Sequence, residues 1–249
     1  MPSPRTARYV DVLALPHVPL TFGAALIGRT AYALVFLPLL YAVQEGTGSI
    51  ALAGTAVALY GSTASLLAPA RALLIDRYGA RSVLATLILA FGLTLAAIAA
   101  TSLLDGPTAA FLVLAGLAGS VAPPLGPFMR VAWGTLTPDD HLLRKSLSLD
   151  AVIEELLYLA GPAAAGLALA VIAPGYALLV PAALVIVGGL TFVATPTVGA
   201  MRARGPWTRC STACPSMPPR TTLPRRTTET APRGTPSTAM AVEVVSTPP

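Results

Sequence analysis

Six long apolar runs, separated by breaks too short to hold a domain, constrain this chain more than any other feature. The runs cover Leu20 to Val43, Ile50 to Leu74, Val83 to Leu104, Thr108 to Met129, Ala151 to Ile172 and Tyr176 to Ala194. A membrane-spanning helix needs about 20 apolar residues to cross roughly 30 Å of hydrocarbon, and each run is long enough. The breaks are turn chemistry: Gln44 to Ser49 with two glycines, Asp105-Gly106-Pro107 and Ala173-Pro174-Gly175. Strands are disfavoured, because the runs show no polar–apolar alternation and an open sheet edge in lipid leaves its amides unsatisfied. Composition closes the argument. With 55% hydrophobic and 11% charged residues, against about a quarter charged in ordinary domains, the chain cannot supply the water-facing surface of a soluble fold of this size. The expected fold is an all-α membrane protein of six transmembrane helices, with sequential helices as antiparallel neighbours.

Arginine and lysine near span ends are retained on the cytoplasmic side. Arg5 and Arg8 precede the first run; Arg71, Arg77 and Arg81 flank the second break; Arg130, Arg144 and Lys145 flank the fourth; Arg202 and Arg204 follow the sixth. The first, third and fifth breaks carry none. Both ends of the helical region are therefore expected in the cytoplasm, together with the longest internal loop, Arg130 to Asp150. The expected organisation is a cytoplasmic segment over 1–19, a six-helix bundle over 20–195, and a tail over 196–249. Beyond Ala200 the tail scatters arginines among Pro, Thr and Ser with few bulky apolar residues, and such a segment cannot bury enough surface to fold. Only Lys145 is lysine among the 16 basic residues, a bias expected when GC-rich coding sequence is read out of frame, so the tail reads as a frameshift product. Cys210 and Cys214 lie in that tail with no histidine near them, which indicates neither a metal site nor a disulfide framework. No nucleic-acid motif accompanies the net charge of +5.

The second break reads Ala72-Leu-Leu-Ile-Asp76-Arg77-Tyr78-Gly79-Ala80-Arg81. It resembles the signature Gly-x-x-x-Asp-Arg-x-Gly-Arg-Arg between the second and third helices of major facilitator superfamily transporters. Asp76, Arg77, Gly79 and Arg81 match, whereas Ala72 and Ala80 stand where the pattern has glycine and a basic residue. In the fifth run, Gly161-Pro162-Ala163-Ala164-Ala165-Gly166 is similar to the Gly-Pro-x-x-Gly-Gly motif of proton-coupled exporters in that superfamily, with Ala165 departing from it. The resemblance covers roughly residues 5 to 200. It implies two three-helix repeats of inverted topology and a conformational latch at Asp76 to Arg81. It also implies secondary-active export of a small molecule by alternating access, across the plasma membrane and coupled to protons. That mechanism requires a second six-helix half, so the chain reads either as the amino-terminal half of a truncated transporter or as a protomer that pairs with another copy.

A charge at mid-bilayer costs about 2.5–3.5 kcal/mol on insertion scales and usually persists for a reason. Arg29 lies deep in the first run, and Glu154 and Glu155 lie near the start of the fifth; Arg29 is expected to face a central cavity and pair with one of these glutamates. Gly119, Pro123, Pro124, Gly126 and Pro127 are dense enough to bend the fourth helix. Asp150 is expected to cap the fifth, and Thr137 to Lys145 to form a turn and a short interfacial helix. The competing functions are an intramembrane enzyme and a non-transporting partner or channel subunit. His17 and His141 fall outside the runs, and no Gly-x-Ser-Gly turn or paired-aspartate motif occurs, so no catalytic residue and no cofactor are expected.

Overall fold

The computed structural model describes residues 12–200. The expected tail from Met201 onward, both cysteines included, lies outside the described residues, as do Arg5 and Arg8. Within the described residues the chain is helical throughout, with no strand. Five helices are long and apolar enough to cross a membrane, and a sixth span results if one bent pair counts as a single crossing.

Helix α1 runs Val18–Thr47, longer at both ends than its apolar run, and continues through Pro38. Gly48, at φ 67°, ends it. Ser49 then caps the next helix by accepting from the Leu52 amide. The second run is two helices rather than one, α2 (Ile50–Leu66) and α3 (Ala68–Tyr78), bent by 47° at the break. The physical reason is Pro69 in the first turn of α3, which has no N–H to offer the preceding turn. Gly79, at φ 93°, separates α3 from α4 (Ala80–Leu103).

The fourth run is also broken. Helix α5 (Thr108–Val121) stops at Ala122-Pro123-Pro124, and α6 (Leu125–Leu136) resumes. The long internal loop expected from Arg130 to Asp150 is absent: Arg130 sits inside α6, and α7 begins at Asp140, so only Thr137 to Asp139 intervenes. Helix α7 (Asp140–Val171) is one continuous element in place of an interfacial helix plus a span. Its cap is Asp139, which accepts from the Leu142 amide at 2.8 Å, and it passes through Pro162. A four-residue helix α8 (Pro174–Ala177) leads into α9 (Leu179–Ala194), and α10 (Pro196–Ala200) packs back, with Val198 buried. The first five residues of the expected tail are therefore helical.

The closest packing joins segments distant in sequence. Helix α1 lies chiefly on α9, and also on α2 and α7; α5 lies on α2 and α4; α4 lies on α9. Small residues set the α1–α9 crossing, where a Cβ at Gly28 would stand 3.3 Å from the Gly189 backbone amide and one at Gly188 would press on the backbone of α1. Around that crossing the core is filled by Leu39, Leu84, Ile88, Phe91, Leu95 and Phe192. Two segments are barely covered. Helix α7 buries only Ser146, Asp150, Gly161 and Ala165, and α2 buries only Ala53 and Ala56.

Candidate functional site

Arg29 projects from the middle of α1 and is buried, as is the carboxylate it meets. That carboxylate is Asp150, not Glu154 or Glu155: Arg29 Nη1 donates to Asp150 Oδ1 at 2.8 Å, with side chains 5% and 1% exposed. Its second terminal nitrogen, Nη2, lies 3.5 Å from both Asp150 Oδ2 and the Gly126 carbonyl oxygen. The expected pairing failed because α7 starts earlier than its apolar run. Asp150 is thereby ten residues inside the helix rather than at its cap, and Glu154 is about four turns in rather than one.

The second cation of the cluster comes from the fourth segment. Arg130 on α6 donates from Nη2 to Glu154 Oε2 at 2.6 Å, and its Nε stands 3.9 Å from Asp150 Oδ2. Two arginines and two carboxylates thus alternate across three segments, and their formal charges cancel. Asp150 is the shared member, held between a buried arginine on one helix and a half-exposed arginine on another. A buried pair contributes less than its Coulomb energy implies, because both ions lose hydration. Removing one member alone leaves a naked charge, which is costly. The cluster sits beside the break in the fourth segment, where Gly126 leaves room for Glu154: a Cβ there would lie 3.3 Å from Glu154 Oε1. Tyr32 on α1 reaches the same break, donating its hydroxyl to the Pro123 carbonyl at 2.6 Å.

Glu155 is exposed and makes no ion pair among the described residues. With Tyr158, Arg130 and Glu154 it gives the α6–α7 face a polar strip inside otherwise apolar segments. Lipid does not solvate such a strip.

The other sequence candidates fall into two groups. In the fifth-helix motif, Gly161 is at a contact, since a Cβ there would meet the Ala33 backbone at 2.6–2.9 Å; Pro162 and Gly166 are exposed, with open space at Gly166. In the motif between the second and third segments, Gly79 makes the turn with its positive φ. Asp76, Arg77 and Arg81 are exposed there; the Arg77 guanidinium lies 5.5 Å from the Tyr78 ring centre, and Arg81 approaches Gly199 of α10. No ion pair joins this loop to the charged cluster among the described residues.

Sequence reasoning missed Asp150 and Arg130 as members of the site, and Arg71 as a buried group. A signal for the first was present: Pro138-Asp139 is a helix-start pattern, and the apolar residues Leu142, Leu143, Leu147 and Leu149 behind it continue a helix into the fifth run. Among the described residues no group of three or more His, Cys, Asp or Glu is arranged to hold a metal ion. No family model, curated protein or solved structure matches the chain.

Proposed function

We propose that this chain is a plasma-membrane bundle of a transporter of the major facilitator type, moving a small molecule outward by alternating access together with a second six-helix bundle. The observation that carries the reading is the Arg29–Asp150–Arg130–Glu154 cluster, which joins three long apolar segments beside a broken helix. Charges so placed are retained in membranes where they face a polar pathway or a partner. Arg29 and Asp150 hold the resting pair, and protonation of a carboxylate or arrival of substrate changes which arginine Asp150 holds.

The pairing of helices supports two inverted three-helix repeats, and the arginines flanking the second and fourth breaks support both ends being cytoplasmic. Exchanging the first segment with the fourth, the second with the fifth and the third with the sixth turns the first–sixth contact into the third–fourth. The same exchange turns the second–fourth contact into the first–fifth and returns the third–sixth to itself. The uncovered faces of α2 and α7 are where a second bundle, from another copy or a separate chain, encloses the polar strip. The latch role of Asp76, Arg77, Gly79 and Arg81 at the cytoplasmic turn rests on their spacing and on the Gly79 turn.

The test has two arms. Cysteines at positions 155 and 158, in a background with Cys210 and Cys214 replaced by Ser, react with a membrane-impermeant thiol reagent if the strip lines an aqueous pathway. Cysteine at position 167, on the apolar part of α7, does not. In everted vesicles, a panel of amphipathic compounds elicits proton flux that Arg29→Ala abolishes at equal expression. Normal flux with Arg29→Ala removes the assignment.

A further inference from the structure

The second buried arginine is explained by nothing in the proposed transport cycle. Arg71, on α3 just after the bend of the second segment, is buried, and no carboxylate lies within ion-pair distance of it among the described residues. The two terminal nitrogens of its guanidinium donate to main-chain oxygens alone, while its buried Nε has no partner. Nη1 donates to the Gly119 carbonyl at 2.7 Å and the Ser120 carbonyl at 3.2 Å, and Nη2 donates to the Ala64 carbonyl at 2.5 Å.

These acceptors are the ones the two helix breaks leave in need. In an unbroken helix the oxygens of residues 119 and 120 accept from the amides of residues 123 and 124. Both of those are prolines, which have no amide hydrogen. The Gly119 oxygen retains only a long contact of 3.4 Å from the Ala122 amide. Ala64 lies in the last turn of α2, before the 47° bend. Two helix C-termini therefore converge on one cation. Each terminus carries the equivalent of about half a negative charge, so together they match the single charge of Arg71 without any acidic residue. The approach is possible because Gly119 has no side chain: a Cβ there would strike the Tyr60 carbonyl and the Thr63 hydroxyl of α2.

We infer that Arg71 is a clip that couples the break in the second segment to the break in the fourth, so that the two bends change together. The clip holds only while both breaks exist. Replacing Pro123 and Pro124 supplies the missing amides, so that the fourth segment can straighten and withdraw the Gly119 and Ser120 oxygens into its own hydrogen bonds, and Arg71 then no longer fixes the second segment's bend. The inference does not depend on the transport reading, since it concerns only how two helices are tied.

The experiment alters the fourth segment and reads the second. Spin labels at positions 55 and 73, both exposed and on either side of the α2–α3 bend, are introduced with Cys210 and Cys214 replaced by Ser, and the distance distribution is measured in nanodiscs. With Arg71 present, Pro123→Ala/Pro124→Ala broadens or shifts the distribution; with Arg71→Met it is already broadened, and replacing the prolines adds nothing. In parallel, Arg71→Met lowers Tm by about 5–10 °C in the parent, the loss expected for stranding buried carbonyls in a chain of this size, and by less than half as much once the prolines are replaced. A chain that tolerates Arg71→Met only after the prolines are replaced is the same result in stronger form. A 55–73 distribution that ignores the proline replacements while Arg71 is present overturns the inference, as does an equal Tm loss in both backgrounds.

Discussion

Replacing Arg29 with methionine keeps the length of the side chain and removes its charge. Asp150 is then left 1% exposed, with Arg130 Nε at 3.9 Å as the only cation in reach among the described residues. Breaking a buried pair from one side costs about 3–5 kcal/mol, because the surviving ion stays desolvated. For a chain of this length each kcal/mol lowers Tm by about 2–4 °C, which gives a loss of about 6–20 °C. Arg130→Met removes a side chain that is 53% exposed. Where the strip faces the proposed aqueous pathway, water screens its interaction with Glu154, so the comparable loss is about 0–1 kcal/mol, or at most a few degrees. Arg29→Met/Asp150→Leu removes both buried charges and restores most of what Arg29→Met loses, since an apolar pair of similar volume needs no compensation. The assay is thermal unfolding of detergent-purified protein followed by intrinsic fluorescence, with the same variants checked in nanodiscs. The reasoning is refuted if Arg130→Met destabilises as much as Arg29→Met, or if the double variant loses the sum of its two single losses.

Two further outcomes separate packing from turn geometry. Gly161→Val drives a branched side chain into the Ala33 backbone and loosens α7 from α1, lowering Tm by several degrees, whereas Gly166→Val points into open space and leaves Tm unchanged within about 1 °C. Gly79→Ala is sterically free but places an L residue at φ 93°, ψ 138°, a region essentially confined to glycine, so it costs about 1–3 kcal/mol from the backbone alone, and Gly79→Asn, which tolerates only the left-handed helical region, recovers none of that loss in the same unfolding assay.

The helical class and the rough placement of the segments were legible because they follow from local quantities. A run of some twenty apolar residues has few other solutions, and Asp105-Gly106-Pro107 or Ala173-Pro174-Gly175 stops a helix wherever it occurs. The charged cluster was half legible. Arg29 stood out as a lone charge in an apolar run, whereas Asp150 and Arg130 fell just outside the adjoining runs and were read as a cap and a flanking charge. Hydropathy marks where a segment becomes apolar. A helix ends where its hydrogen bonds end, and α6 and α7 extend several residues beyond that point.

The sequence by itself determined that the chain is helical, that its helices are long and apolar, and that Asp105-Gly106-Pro107 and Ala173-Pro174-Gly175 interrupt them. Those outcomes depend on neighbours a few residues apart, through backbone hydrogen bonding and the missing amide of proline. Tertiary structure alone decided that Arg29 meets Asp150 across 121 positions, that Arg71 meets the oxygens freed by Pro123 and Pro124, and that α1 packs on α9 through glycines. Which face of one helix meets which face of another depends on the shapes of all of them together. A partner for a buried charge is therefore chosen by packing, and no local pattern announces it.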